Sequence, residues 1–354
     1  MKVLTTAVSL ALAVAMATPA VAGPKWAVGD DGWMKLAFLG QVHYLHDDHA
    51  DQKNDFFLRR GRFILAAQVM DGVRFFVETD NDKAGKKGTT VSTDIQDAFV
   101  DVRLGKSDHW AEAGLILLPF SFENKSSAAK LLGLDYNSET IKFVNTFVWR
   151  DDGVELHGNF GKQFAYRVGA FDGYDNGGKN PDAELRLTGH VAYNVLGDVE
   201  TGWFMTQERF KGTYLSLGAG ADYQPDATGT NAQNGLDYFA WVADFQSGWD
   251  LDPVHLTVNG AWYDWTNAAG GFEGNTAFVE AGALMDKTMV TAKYSLQDPD
   301  TGDSITNYTV GLAYFMKGHN ARVGVEYRWG DRTPNGDSDS EDDATTLVGV
   351  QFLL

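Results

Sequence analysis

The sequence predicts an all-β fold, a transmembrane antiparallel β-barrel of sixteen strands. Three observations point there. An apolar run, Val3–Met16, follows Lys2 and leads into the small residues Ala20, Val21 and Ala22 before Gly23. That is the layout of a secretory signal, and the run is shorter than the ~20 apolar residues of a spanning helix. After it, short segments alternate apolar and polar residues between turns rich in Gly, Asp and Asn, as strands do when one face meets lipid and the other water. Finally, 39 Gly and 22 Phe, 13 Tyr and 10 Trp against only 8 Pro favour strands and tight turns. Residues 1–22 are therefore read as a signal peptide and 23–354 as the barrel.

The strands follow in order. In Trp33–His46, Leu36, Phe38, Val42 and Tyr44 share one face, with Lys35, Gln41 and His43 on the other. In Phe57–Met70, Phe57, Phe63, Leu65, Ala67 and Val69 alternate with Arg60, Arg62 and Gln68. Val73–Asp80 opposes Val73, Phe75 and Val77 to Arg74, Glu78 and Asp80; Asp94–Leu104 opposes Ala98, Val100 and Val102 to Asp97, Asp101 and Arg103. Trp110–Leu117 is shorter and more apolar. The pattern continues through Asp152–Asn159, Phe164–Phe171, Ala183–Tyr193, Tyr214–Tyr223, Asp237–Ser247, Val254–Trp265, Asn275–Met285, Thr288–Leu296, Ile305–Phe315, Ala321–Trp329 and Ala344–Leu354.

Parity supports the count. With both termini in the periplasm the strand number is even, and long external loops alternate with short periplasmic turns. Asp71–Gly72, Gly105–His109 and Gly161–Lys162 are short; Asp47–Asp55, Asn81–Thr93, Leu118–Asp151 and Asp172–Asp182 are long. Read from the other end, Asp286–Lys287 and Met316–Asn320 are short, and Gln297–Ser304 and Asp331–Asp343 long. The two readings meet at Asn194–Gly212, which parity makes one long periplasmic connection, although Thr201–Arg209 could pass for a strand. Trp33, Tyr44, Trp149, Tyr193, Tyr223, Trp262, Tyr327 and Trp329 lie near strand ends, as in an aromatic girdle.

Composition narrows the function. With no Cys, a cysteine nucleophile, a haem-attachment motif and a Cys-ligated zinc are excluded. A net charge of −19 argues against nucleic acid as a partner. The eight His are dispersed, and no metalloprotease helix, nucleophile elbow or phosphate-binding loop occurs. No cofactor and no metal site is expected. His157 near Glu155 and His190 near Arg186 share the polar face, where lining a pore accounts for them.

Four stretches resemble the phosphate-selective porin O/P family: Phe56–Asp80, Asp94–Glu123, Arg150–Gly158 and Tyr166–Gly173. The resemblance covers mainly the first half of the chain. It implies a sixteen-stranded, usually trimeric diffusion porin of the bacterial outer membrane. The chain departs from phosphate-selecting members in its acidity, and it ends on Leu354 where such barrels usually close on an aromatic.

A porin's mechanism is a water-filled lumen lined by charge and narrowed by a loop. Leu118–Asp151 is the longest connection, and Ser126–Leu134 within it has helical spacing. Phe120, Phe122, Leu131, Leu132, Phe143 and Phe147 need burial, so the third external loop is expected to fold inward, the alternative being a surface or trimer contact. Alternation assigns Arg60, Arg62, Arg74, Arg103, Arg167 and Arg186, with Asp97, Asp101 and Glu78, to the pore lining. Glu155, Asp222, Asp244, Glu280, Lys293, Arg322, Glu326 and Arg328 share that face. Either the arginines form an anion track, since guanidinium binds anions bidentately, or they pair with neighbouring acids. Acidic external loops (Asp47–Asp51, Asp298–Ser304, Asp337–Asp343) offer carboxylates for divalent bridging to lipopolysaccharide, but they lack the spacing of a calcium-binding loop, and solvated, mobile loops are the first expectation. The leading expectation is passive diffusion of small hydrophilic solutes or ions, including anions such as phosphate. The alternative is a structural or conduit barrel that sheathes a partner protein or anchors the envelope; an outer-membrane hydrolase is a distant third.

Overall fold

The computed structural model describes residues 23–354 apart from 48–49, 51–52, 82, 87–88, 90, 145–148, 174–183, 198–204, 206–209, 229–234 and 332–342. The signal segment, Phe147, most of Thr201–Arg209 and the acidic run up to residue 342 lie outside the described residues.

A short strand β1 (Lys25–Val28) precedes sixteen long ones: β2 (Gly32–Asp47), β3 (Asn54–Met70), β4 (Val73–Asp80), β5 (Asp94–Arg103), β6 (His109–Leu117), β7 (Arg150–Phe160), β8 (Phe164–Phe171), β9 (Arg186–Leu196), β10 (Tyr214–Thr228), β11 (Leu236–Leu251), β12 (Val254–Ala268), β13 (Phe272–Met285), β14 (Thr288–Pro299), β15 (Ile305–Phe315), β16 (Ala321–Gly330) and β17 (Asp343–Leu353). Each long strand pairs antiparallel with its chain neighbours, and β17 returns to β2. The ring has no open edge, so ladder bonds satisfy the backbone without water, as a membrane requires.

Period-two alternation separates the faces. Phe63, Phe75, Val154, Leu187, Trp241, Trp262, Val290, Leu312 and Tyr327 are exposed on the outside. Gln41, Arg62, Glu78, Asp101, Glu155, Asp222, Gln246, Glu280 and Gln351 are buried on the inner face. One extra residue in β3 changes this order. Gln41 pairs with Arg60 and Val42 with Leu58, leaving Arg59 as a bulge. The bulge reverses the faces beyond it: Phe56 is exposed and Phe57 buried, edge-on to His43. Phe57 therefore does not share the lipid face of Phe63, contrary to simple alternation.

The segment β1 was not foreseen. It pairs with the start of β2, Lys25 opposite Lys35 and Val28 opposite Gly32, while β17 pairs with β2 from Leu39 to Asp47. Phe38 and Leu354 exchange backbone hydrogen bonds of 3.1 and 2.9 Å between these two stretches. The N-terminal segment thus continues the edge where the last strand stops.

The loop 118–149 does not form a helix at Ser126–Leu134, which is turns and bends; the helical turn lies at Ser138–Ile141. Trp149 belongs to the neck of this loop, packed edge-on against Tyr136 at 5.0 Å rather than standing in a girdle.

Candidate functional site: the charged lumen and its crossing loop

The loop 118–149 starts where β6 ends, and its neck is closed by Leu118 donating to Trp149 O at 2.9 Å. Its apolar residues leave water as a group. Leu118, Phe120, Phe122, Ile141, Phe143 and Val144 are buried in one cluster with Tyr238, Val242, Tyr263, Trp265 and Phe278 of the wall. Phe120 meets the Trp265 ring at 5.6 Å and Phe143 stacks on Phe272 at 3.8 Å. Leu132 joins Leu284, Met289, Ala313 and Phe315. Gly220 explains part of the fit: a Cβ there would lie 2.0 Å from Phe120 O.

Polar anchors run round the ring. On β3, Arg59 Nε and Arg60 Nη2 donate to Asp135 at 2.5 and 2.8 Å. On β2 and β17, Gln41 donates to Ala128 O at 3.0 Å and Gln351 to Ala129 O at 2.9 Å. On β7, Glu155 accepts from Lys125 Nζ at 2.5 Å. On β11, Asp244 accepts from Phe122 N at 3.1 Å. Thr276 of β13 donates to Thr140 O at 2.7 Å; on β16, Glu326 accepts from Leu134 N and Arg322 donates to Leu131 O, both at 2.7 Å. Eight places separate β3 from β11 in a ring of sixteen, so Asp135 and Phe122 fasten the loop to diametrically opposite walls.

A second connection reaches the same place. Met205, in the β9–β10 connection from the other end of the barrel, donates to Lys125 O at 3.0 Å. Gln246 donates to Met205 O at 3.3 Å.

The expected lining residues all stand on the inner face, and each arginine meets an acid. Arg62 donates to Glu78 at 2.5 Å and Asp80 at 2.9 Å. Arg74 donates to Asp101 at 2.5 Å and lies 3.6 Å from the centroid of the Trp110 ring. Arg103 pairs with Asp71 of the β3–β4 turn. Arg150 donates to Asp97 at 2.7 Å and Arg167 to Glu155 at 2.5 Å. Arg186 grips Asp222 through two donors, and Thr188 adds a third at 2.7 Å. The partners differ from sequence neighbours: Arg74 takes Asp101 rather than Glu78, because Arg74 and Asp101 face one another across β4 and β5.

Sequence reasoning missed the loop's own charges, Glu123, Lys125 and Asp135, and the wall residues Arg59, Glu112 and Arg150. Glu112 had a readable signal, the lone acid in an apolar strand. Lys125 and Asp135 had none, since a loop carries no period. Burial raises the Asp135 carboxyl, but Arg60 and Arg59 outweigh it and hold Asp135 well below the usual carboxylate range. Burial and the neighbouring Glu280 push Glu123 up to about 7, against hydrogen bonds donated by Asn137. Buried charges on this scale stand only because they are paired, and deleting one partner costs ~3–5 kcal/mol.

Comparison with known proteins agrees with the fold. The family model of phosphate-selective porins O and P matches residues 38–253, more than half of the chain. No curated protein matches it. Among solved structures, the chain is similar to OmpF of Salmonella typhi in complex with daunomycin, at 14% identity and TM-score 0.67, covering 92% of this chain and 99% of that one. It is also similar to an anion-selective porin from Comamonas acidovorans (14% identity, TM-score 0.59, 92% and 100% covered). The outer-membrane channel DcaP of Acinetobacter baumannii gives 13% identity and TM-score 0.60, with 94% and 100% covered. At such identities these likenesses speak for the fold.

Proposed function

The chain belongs to the phosphate-selective porin O and P family, and from that premise we infer that it is a passive diffusion channel whose width is set by the loop 118–149. It is an outer-membrane porin for small solutes or anions, and family and fold point to a channel rather than an enzyme. The observation that carries the finer reading is the loop's attachment to β3 and β11 at once. A segment held to opposite walls divides the lumen into narrower passages.

Arg60, Arg62, Arg74, Arg103, Arg167 and Arg186, with Asp97, Asp101 and Glu78, line those passages in ion pairs rather than as a bare anion track, Arg60 sharing Asp135 with Arg59. Pairing in every case supports this. Selectivity by sign is then weak, and size and hydration govern passage. A conduit sheathing a partner protein would need a lumen clear of its own chain, which the crossing loop opposes. The mature chain begins at Gly23. It assembles as a homotrimer; OmpT of Vibrio cholerae has been solved in a trimer form. Its acidic external residues, Asp298, Asp300 and Asp303 among them, face lipopolysaccharide through bridging divalent ions.

Planar-bilayer recording tests this reading. Stepwise openings are expected from the purified protein, and deleting Ser126 to Asn137 should raise their conductance while the barrel still assembles. A silent barrel overturns the channel; normal assembly with unchanged conductance removes the loop from its role.

A further inference from the structure

Three side chains on adjacent strands converge on one point of the lumen wall. Asp101 of β5 is the direct partner of Glu112 of β6. Glu112 is the partner of Glu155, and His157 follows two residues later, so it rises on the same face of β7. Asp101, Glu112 and His157 are 0, 1 and 6% exposed. One ligand atom from each lies within 4.8 Å of the other two.

The atoms are sorted by role. Arg74 takes Asp101 Oδ2, and Lys125 lies 3.9 Å from Glu112 Oε1. The remaining oxygens turn to the imidazole: Asp101 Oδ1 is 3.1 Å and Glu112 Oε2 is 3.8 Å from His157 Nε2. Glu112 Oε2 is the telling atom, because it is buried and has no hydrogen-bond partner. Such a group costs ~1–3 kcal/mol, more when charged, and calls for a ligand. A tetrahedral metal with bonds of ~2.1 Å sets its ligand atoms ~3.4 Å apart, between the two distances found here.

We propose that Asp101, Glu112 and His157 form a binding site for a first-row transition-metal dication in the porin wall. The imidazole selects zinc-like ions over calcium or magnesium, which prefer all-oxygen sets. Neutral His157 coordinates through Nε2, with its proton on Nδ1. Arg74 holds the far oxygen of Asp101, orienting the near one inward, and Lys125 draws on the far oxygen of Glu112 by charge alone, across 3.9 Å. Together with Arg167 they also balance Asp101, Glu112 and Glu155, which keeps the site exchangeable rather than permanently filled.

The test is titration of full-length mature protein, folded in detergent without a polyhistidine tag, with cobalt(II) read by its visible absorption. One ion per chain is expected. His157→Gln and Glu112→Gln should each weaken binding by more than ~10-fold, whereas His190→Gln, whose partner is Asp244, should not. Heat-modifiable migration on gels reports whether each barrel has folded, and Glu112→Gln decides the matter should His157→Gln fail to fold. Non-saturable cobalt uptake, or full binding in Glu112→Gln, overturns the site. The titration reads metal occupancy and not conductance, so it stands or falls independently of the channel reading.

Discussion

Changing Asp135 to Asn should loosen the crossing loop and turn the channel toward anions. Asp135 is the acid shared by Arg59 and Arg60, so the substitution leaves two guanidinium groups facing a neutral amide. Breaking a buried pair costs ~3–5 kcal/mol. Asp135 is 29% exposed, and screening by water lowers the figure to ~2–3 kcal/mol. At 1.4 kcal/mol per decade, local opening of the loop should become roughly 100-fold more frequent. The added net positive charge acts within a Debye length, ~10 Å at 0.1 M salt and ~3 Å at 1 M. Reversal potential across a potassium chloride gradient should therefore move toward anions at low salt and return at high salt. Amide exchange at residues 134–137 should accelerate. An unchanged reversal potential together with unchanged exchange would refute both the latch and its position in the ion path.

Replacing Arg60, Arg62 and Arg103 together by Gln strips partners from Asp135, Glu78, Asp80 and Asp71, so reversal potentials should shift toward cations; no shift would place these residues outside the ion path. Glu123 carries a proton in the docked loop between the ordinary carboxylate value of 4.5 and about 7. Its stabilisation is thus full below 4.5 and lost as pH rises through about 7, and the thermal midpoint should fall between pH 5 and 8 by more in the wild type than in Glu123→Gln. Gly220→Val drives a side chain into Phe120 O; it should displace the loop neck and change conductance, while an unaltered channel would mean the neck yields freely. Mass spectrometry of protein exported to the outer membrane should give an N-terminus at Gly23.

The strands were legible because lipid and water impose a two-residue period that survives in the sequence: Val73–Asp80 and Ile305–Phe315 match their predicted limits. Limits slipped where the period fades. Strands β10 and β11 run on to Thr228 and Leu251, beyond the segments that have to alternate. A bulge such as Arg59 adds one residue without marking it, so Phe57 was assigned to the wrong face. Segment β1 is four residues long and exposed throughout, too short to show a period. At the lumen, alternation groups the arginines with acids on one face but does not give the partner of each. Partnership depends on register between strands, and Asp135 and Lys125 arrive from a loop that obeys no register.

The crossing loop also bears on the order of assembly. Its anchors are spread from Gln41 to Gln351, almost the whole length of the barrel, and two of them face each other across the ring. None of the first half's strands alone can supply both walls. The loop can be fully fastened only after the last strand has met the second, so its docking records that the circle has closed. A chain stalled short of β17 would lack the Gln351 anchor, whereas one stalled short of β11 would also leave Phe120, Phe122 and Leu132 uncovered, since their partners stand on β11 to β15.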